Sequence, residues 1–347
     1  MRIVYIYYGN HYLFDSWAKS IGAEARPFVP LWLYDFNRLK KKGASIRNNL
    51  SSTLRKFPVF LQAASLLNSL FIPKADVYIL ENMACATSIY FKRTRNSKVI
   101  LFNGDQFFLD LSSAGGTRKI IAKKLMKKVD GIVSISKLYK DICEKHLDLP
   151  NKMVYPYAEV EKYLKKQADL ESKSVAFLGY IVLLKGIDIL IDAFNELEDE
   201  YKDKLYLVGA VVDDIPQVTA NKDNPKIVCT GWCDNPEEYL RKCSIYANPA
   251  RREAFGINII EAMCMGLVPI VSGNCGAAEI VKEVSEELII PVDKEKLKQK
   301  IRWLNSNQKI KRELSEKCRK VGRTYTKEKS VAEFRRAFAE LLTELAK

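Results

Sequence analysis

The chain has 347 residues, enough for about two domains at the usual domain size. Its composition, 48% hydrophobic and 28% charged, is that of a soluble globular protein, and it excludes a disordered or disulfide-scaffolded chain. The formal net charge of +14 is uneven: residues 1–160 hold 25 Lys/Arg against 12 Asp/Glu, whereas the remainder holds 31 against 30. The basicity therefore describes what the N-terminal half touches, with anionic lipid, a phosphorylated acceptor and nucleic acid as the candidates. Eight cysteines are scattered singly, with no CxxC pair, and the only histidines are His11 and His146. No metal site is expected from that inventory. Free thiols point to a reducing compartment, so a cytoplasmic location is expected.

In chain order, "MRIVYIYY" is too short for a signal-peptide core and reads as a first strand ending at Gly9. Further short apolar runs, "RPFVPLW", "ADVYILE", "KVILFNG" and "GIVSIS", read as buried parallel strands. Helical patterns lie between them near residues 12–22, 58–71, 83–95, 116–128 and 137–146. The apolar stretch 57–73 is bracketed by Pro58 and Pro73. That leaves a helix of about 21 Å, short of the roughly 30 Å of a bilayer core. The charged stretch that starts "NKMVYPYAEV" breaks the rhythm, and residues 156–173 read as a linker between a domain of 1–155 and a domain of 174–328. The alternation restarts with "SVAFLGY", "KLYLVGA", "KIVCTGW", "SIYANPA" and "LVPIVSG", separated by helices. Residues 329–347 form an amphipathic helix, expected to pack back toward the N-terminal domain. The fold class is α/β, with two doubly wound sheets whose carboxyl edges face a common cleft.

Three junctions carry candidate chemistry. Gly9 stands between a strand and a helix, where backbone N–H groups can approach a phosphate; without other evidence a plain turn glycine is the better reading. Gly179 repeats the arrangement in the second domain, and Lys185-Gly186 opens the next helix. A lysine there opposes the helix dipole, which favours a diphosphate-binding role over a solvated surface position. In "REAFGINIIEAM", Gly256 frees the backbone at a helix start, and Ile257 and Asn258 present N–H groups able to hold an anion. Glu253 precedes that start and Glu261 lies about a turn inside it. Acids near a helix N-terminus are also ordinary helix grammar, and spacing alone leaves the two explanations level.

The segment from Asn248 to Glu279 resembles the donor-site motif of the large retaining GT-B glycosyltransferase family with an E-x7-E pattern (glycosyl transferases group 1). The matching residues are Pro249, Glu253, Phe255, Gly256, Glu261, Ala262, Met263, Gly266, Pro269 and Ile270, followed by Gly276 and Glu279. Together with "FLGY...KGIDILIDAF", "LYLVG" and "VCTGW", the likeness covers most of residues 174–345. It implies the GT-B fold, two Rossmann-like doubly wound domains around a central cleft, and metal-independent transfer of a hexosyl group with retention. No cofactor is implied beyond the nucleotide-sugar, which is a substrate. By position, Glu261 would bind the nucleotide ribose and Glu253 would stand by the donor sugar. The N–H groups from Phe255 through Gly256 and Ile257 to Asn258 would hold sugar and phosphate. Lys185 would neutralise the diphosphate with help from Tyr180, and Trp232 falls where the family places the base.

The chain departs from the family at Tyr180, where an arginine is usual, leaving Arg251 or Arg252 as the expected substitute cation. It also lacks the usual histidine in "FNGDQFF", so Asp105 is the expected recipient of the acceptor proton. A UDP- or GDP-sugar donor and a glycan or polyprenyl, lipid-linked acceptor are implied. Basic stretches 38–56 and 117–128 are expected to rest on the cytoplasmic face of an anionic membrane, with a solvated lysine surface as the alternative. Nucleic acid is not expected as a partner, because aromatic and basic residues are not interleaved. The competing function is a GT-B-like module that binds nucleotide-sugars without turnover.

Overall fold

The computed structural model describes residues 1–8, 12–28, 64–104 and 124–347. Gly9, Asp105, the basic stretch 38–56, the first part of the apolar stretch 57–73 and residues 117–123 lie outside the described residues. The chain divides into two compact units. Unit 1 comprises Met1–Ile135, Tyr139–Val154 and Val331–Lys347, and unit 2 comprises Ser136–Leu138 and Tyr155–Ser330.

Among its described residues unit 1 is built on six parallel strands: β1 Ile3–Tyr7, β2 Glu24–Pro27, β3 Val77–Leu80, β4 Lys98–Asn103, β5 Gly131–Ser134 and β6 Asn151–Met153. Their order is β2-β1-β3-β4-β5-β6, so the chain reverses direction across the sheet between β1 and β3. Strands β3 and β5 are buried along their whole length, which is why they read as unbroken apolar runs rather than alternating ones. Helix α1, Tyr12–Ser20, sends Leu13, Phe14, Trp17 and Ala18 into the core. The second half of the C-terminal helix closes this core. Its Phe334 stacks on Trp17 with ring centroids 5.1 Å apart, and Phe102 of β4 meets both rings edge-on. Gly131 has no side chain to fend off Leu341 and Leu345, so that helix lies directly against β5.

Unit 2 has a second parallel sheet: β7 Val175–Leu178, β8 Leu205–Val208, β9 Ile227–Gly231, β10 Ile245–Asn248, β11 Val268–Ser272 and β12 Ile289–Ile290. The order β12-β11-β10-β7-β8-β9 puts the topological switch between β10 and β7. Among the described residues the helices fully bounded after α1 are α2 Lys137–Glu144, α3 Val160–Leu164, α4 Ile187–Asn195, α5 Pro216–Ala220, α6 Glu237–Leu240, α7 Ile257–Met265, α8 Ala278–Val284, α9 Lys294–Ser306, α10 Gln308–Gly322 and α11 Lys327–Leu345. Residues Ile259–Met265 of α7 are all buried, Glu261 among them. Lys311 of α10 is buried too, and its ammonium donates to Ser172 O, Ser244 Oγ and Asn305 Oδ1 at 3.0–3.2 Å. Among the described residues no helix is long and apolar enough to cross a membrane.

The structure corrects several sequence expectations. Strand β2 starts before "RPFVPLW", at Glu24, whose carboxylate is paired with Arg2 and Arg26. As an edge strand it needs no apolar run, and Pro27 can sit at its end. The helix expected at 83–95 is a 3-10 segment, Met83–Ile89, capped by the Asn82 side chain. The segment expected as linker contains α3, and β6 just before it pairs with β5.

The stacked Trp17–Phe334 pair makes unit 1 depend on the far end of the sequence. Phe334→Ala is expected to destabilise it by about 3–5 kcal/mol, the usual cost of deleting a buried ring. Urea unfolding followed by tryptophan fluorescence measures this, and an unchanged midpoint would contradict the packing described.

Candidate functional site

The candidate residues of unit 2 gather at the switch between β7 and β10, the place where open α/β sheets bind ligands. Backbone contact between loops makes this possible. Gly186 follows the 3-10 turn Leu183–Lys185 with φ 70°, and a Cβ there would stand 2.2 Å from Pro249 O. Only glycine lets the loop after β7 touch the loop after β10 at that point. The contact is reinforced by Arg251, whose N–H donates to Leu184 O at 2.9 Å and whose guanidinium donates to Leu183 O at 2.8 Å. The same guanidinium forks onto both oxygens of Asp188, in the first turn of α4, at 2.7 Å each. Partial burial opposes ionisation of Asp188, yet the Arg251 guanidinium holds its carboxyl below the usual range.

The loop that carries Glu253 is zipped to the loop after β11. Glu253 N–H donates to Asn274 O, Gly276 N–H to Glu253 O and Ala277 N–H to Phe255 O, at 2.8–3.1 Å. Ser136 Oγ donates to Ala254 O at 2.9 Å, and the Lys137 N–H donates to a Glu279 oxygen at 3.0 Å. Helix α7 then starts after Gly256, at φ 93°, without any side-chain cap. Ile259 N–H donates to Gly256 O at 2.9 Å, which leaves the Ile257 and Asn258 N–H groups as the ones to offer an anion, as at other helix N-termini that bind phosphate. Asn258 Nδ2 donates to Leu178 O at 2.7 Å, which fixes this helix start against the end of β7.

Lys185 and Glu253 form an ion pair in front of that helix start. Their side chains are 23% and 13% exposed, so the pair is only weakly screened by water. Burial pulls the Lys185 ammonium down to about 8. Cys275, itself buried beneath the pair, acts in the opposite direction. Glu261 is in a different setting. Burial, followed by the neighbouring Glu159 carboxylate, raises it to about 7, while a hydrogen bond with Tyr163 of α3 and the charge of Lys162 oppose the rise. Glu237 adds a further like charge, although Lys162 pairs with it at 3.0 Å.

Residues 159–324 match the family described as Glycosyl transferases group 1. Over 216 residues, 61% of this chain, it is 28% identical to the uncharacterized glycosyltransferase MJ1178 of Methanocaldococcus jannaschii, covering 60% of that protein. It is 23% identical over 220 residues to a Campylobacter jejuni 4-alpha-N-acetylgalactosaminyltransferase of N-acetylgalactosamine-N,N'-diacetylbacillosaminyl-diphospho-undecaprenol. That match covers 61% of this chain and 60% of that enzyme. The chain thus spans about three-fifths of the length of these curated relatives. The structure superposes on HepE of Anabaena, solved with UDP-glucose, with a TM-score of 0.71 and 14% identity, over 99% of this chain and 100% of that one. The fold is GT-B.

Within the GT-B unit that holds them, Lys185, Glu253, Phe255, Gly256, Ile257 and Asn258 are brought together at the β7/β10 switch. Tyr180, 58% exposed, follows Gly179 at the end of β7. Trp232, 72% exposed, stands after β9, the edge strand, with β8 between it and β7. Glu261 is turned toward α3 rather than joining the Lys185–Glu253 pair. The guanidinium of Arg251, one of the two cations expected to stand in at Tyr180, is bonded to Asp188 and Leu183 O. The sequence reading overlooked Asp188, Tyr163, Glu159 and Glu237, which lie in segments taken as plain helix or linker. It also overlooked Glu81, a buried acid at the end of β3 that accepts the Tyr8 N–H beside the switch of unit 1.

The Glu261 setting has a measurable consequence. Its folded-state value near 7 lies above the unfolded 4.5, so the native state loses stability as pH rises from 4.5 through 7. The full loss is on the order of 3 kcal/mol at 1.36 kcal/mol per pH unit. Glu261→Gln is expected to match the parent at pH 5 and exceed it at pH 8 by up to about that amount. Urea unfolding at the two pH values checks the sign, and a variant less stable at pH 8 than at pH 5 relative to the parent would contradict it.

Proposed function

We propose that the protein transfers a hexosyl group from a nucleotide-sugar to a glycan or lipid-linked acceptor, retaining the anomeric configuration. The observation that carries this is the Lys185–Glu253 pair facing the uncapped start of α7 at the β7/β10 switch, inside the family-matched segment. A GT-B relative solved with UDP-glucose supports a UDP-sugar as the first donor to test, with a GDP-sugar next. A relative named for transfer onto a diphospho-undecaprenol glycan supports a lipid-linked acceptor. With such an acceptor the protein would work at the cytoplasmic face of a membrane.

In the proposed reaction the diphosphate lies at the α7 N-terminus, and Lys185 turns from Glu253 to its oxygens. The bond from the anomeric carbon to the diphosphate breaks, and a bond to the acceptor oxygen forms on the same face. The acceptor proton passes to a leaving phosphate oxygen, with Asp105 as the protein group proposed to assist. Fixed donors aimed at the developing negative charge lower the barrier without needing to reorganise. Divalent cations have no required part in this scheme, so activity is expected to survive chelation. Glu253, relieved of its pair, would accept hydrogen bonds from donor-sugar hydroxyls, and Glu261 would take the ribose diol once Tyr163 yields it.

Turnover of a panel of radiolabelled UDP- and GDP-sugars is the direct test. Lys185→Ala is expected to lower kcat/KM by on the order of a hundredfold, comparable to loss of one oxyanion donor elsewhere. Glu261→Ala is expected to weaken nucleotide binding, and Glu253→Ala to lower kcat chiefly. Full activity in all three variants would overturn the assignment, and nucleotide binding without release of diphosphate would make the protein a binding module.

The two perturbed groups also set a pH profile. The free enzyme needs Glu261 ionised, which happens above about 7, and Lys185 protonated, which holds below about 8. The kcat/KM profile is therefore expected to be a narrow bell between those values. Lys185→Ala is expected to remove its alkaline limb, and a limb that persists in that variant would assign it to another group.

A further inference from the structure

Among its described residues, unit 1 exposes a group of large apolar side chains. Leu67, Leu70, Phe71, Tyr90 and Phe91 are 64%, 55%, 78%, 53% and 56% exposed. The same segments face the core through other residues: Ala64 and Ile72 in the first and Ile89 in the second belong to one buried cluster. Short contacts tie the segments into one surface. Ser65 Oγ lies 2.7 Å from Thr87 Oγ1 and 2.8 Å from Ser88 Oγ. The Tyr78 hydroxyl lies 3.0 Å from Pro73 O and 3.2 Å from Lys92 O. Arg93 donates to Lys128 O at 2.6 Å, and the Lys128 ammonium sits 3.8 Å above the Tyr90 ring, which itself meets Phe91 edge-on.

The charge of the described segments around this surface is predominantly positive. The described segments 64–98 and 124–130 contain Lys74, Lys92, Arg93, Arg95, Lys98, Lys124, Lys127 and Lys128, against Asp76, Glu81 and Asp130. Each of the three acids already accepts a hydrogen bond: Asp130 from Arg93 and from the Val99 N–H, Asp76 from the Arg2 N–H, and Glu81 from the Tyr8 N–H. Lys92 and Arg93 directly follow Phe91, and Lys128 covers Tyr90, so a basic rim adjoins the exposed rings. A protein partner of ordinary surface would match the apolar centre or the rim, but a bilayer with anionic headgroups matches both at once. Aromatic and aliphatic side chains enter the headgroup boundary while lysines stay at the phosphates.

We infer that Leu67, Leu70, Phe71, Tyr90 and Phe91, with the lysines around them, form the surface by which unit 1 sits on an anionic lipid bilayer. This deepens the proposed function, on which it rests for its purpose, since a lipid-linked acceptor is met at a bilayer. Binding to vesicles needs neither donor nor acceptor, so its failure is separable from failure of sugar transfer.

The test is sedimentation of the full chain with phosphatidylcholine vesicles and with vesicles that also contain phosphatidylglycerol. The protein is expected to partition onto the anionic vesicles and to leave them as salt is raised. Phe71→Ser with Phe91→Ser is expected to lower the partition coefficient by roughly tenfold or more, since apolar insertion and charge attraction act together. Lys92→Glu with Lys127→Glu is expected to abolish the preference for anionic lipid. Thermal unfolding and UDP-binding titrations unchanged in both variants would exclude misfolding as the cause. Equal partition of parent and variants, or no binding to anionic vesicles at low salt, overturns the inference. So does a parent chain that self-associates in solution and becomes monomeric in the Phe71/Phe91 variant, because a second copy would then be the occupant.

Discussion

The candidate site depends on one backbone contact, the approach of Gly186 to the carbonyl of Pro249. Every other feature of the site follows from two loops being that close. Lys185, one residue before the contact, and Glu253, four after Pro249, pair because their loops are already joined. Arg251 and Asp188 lock the join from the side, with a charge-assisted fork that a lysine would not reproduce. The start of α7 is held to the same place by Asn258 on Leu178 O. A Cβ at residue 209 would meet Gly179 O at 1.9 Å, and one at residue 276 would meet Ala254 O at 2.1 Å. Gly186, Gly209 and Gly276 thus permit backbone to rest on backbone, and the polar side chains are positioned by that closeness.

Closeness also sets the electrostatics. A lysine and a glutamate removed from water each lose hydration, and each moves toward its neutral form unless a partner compensates. Lys185 is shifted down and Glu261 up, toward each other on the pH scale, by the same cause acting on opposite charges. Lys311 shows that burial alone does not mark a functional group. It is lowered to about 8 as well, yet its three acceptors come from the protein's own backbone and side chains, which gives it a structural place under β10. What separates Lys185 is its location at the switch, beside a helix start that no side chain caps.

How far the sequence could be read depended on whether a signal was local. Strands β7, β8, β10 and β11 are apolar runs ended by glycine or a polar step, and burial on both faces makes such runs unmistakable. The edge strands of unit 1 are different. Asn-Lys-Met of β6 and Glu-Ala-Arg-Pro of β2 have one free side, so nothing in their composition announces a strand. The same contrast divides the site. Lys185, Glu253, Gly256 and Asn258 were legible because each stands at a strand–loop–helix junction with the right neighbours. The Arg251–Asp188 fork joins residues 63 apart, and Tyr163 reaches Glu261 from a segment that composition alone describes as a linker. Partnerships made by the fold leave no spacing to find.

The departure at Tyr180 bears on how the proposed chemistry is divided. With a tyrosine after Gly179 and Arg251 held by Asp188, Lys185 is the cation that the described geometry sets at the helix start. In the proposed reaction, neutralisation of a diphosphate then falls to one lysine and to the N–H groups of α7. Backbone donors carry partial charge, are fixed in direction and do not titrate, so they stabilise the leaving group equally across pH. The titrating share is concentrated in Lys185, whose burial lowers it into the working range. A second cation close by would lower Lys185 further by like-charge repulsion and would oppose its protonated form. A neutral ring at Tyr180, with the Arg251 guanidinium held on Asp188, therefore spares the heavily buried Lys185 two sources of like-charge repulsion at neutral pH.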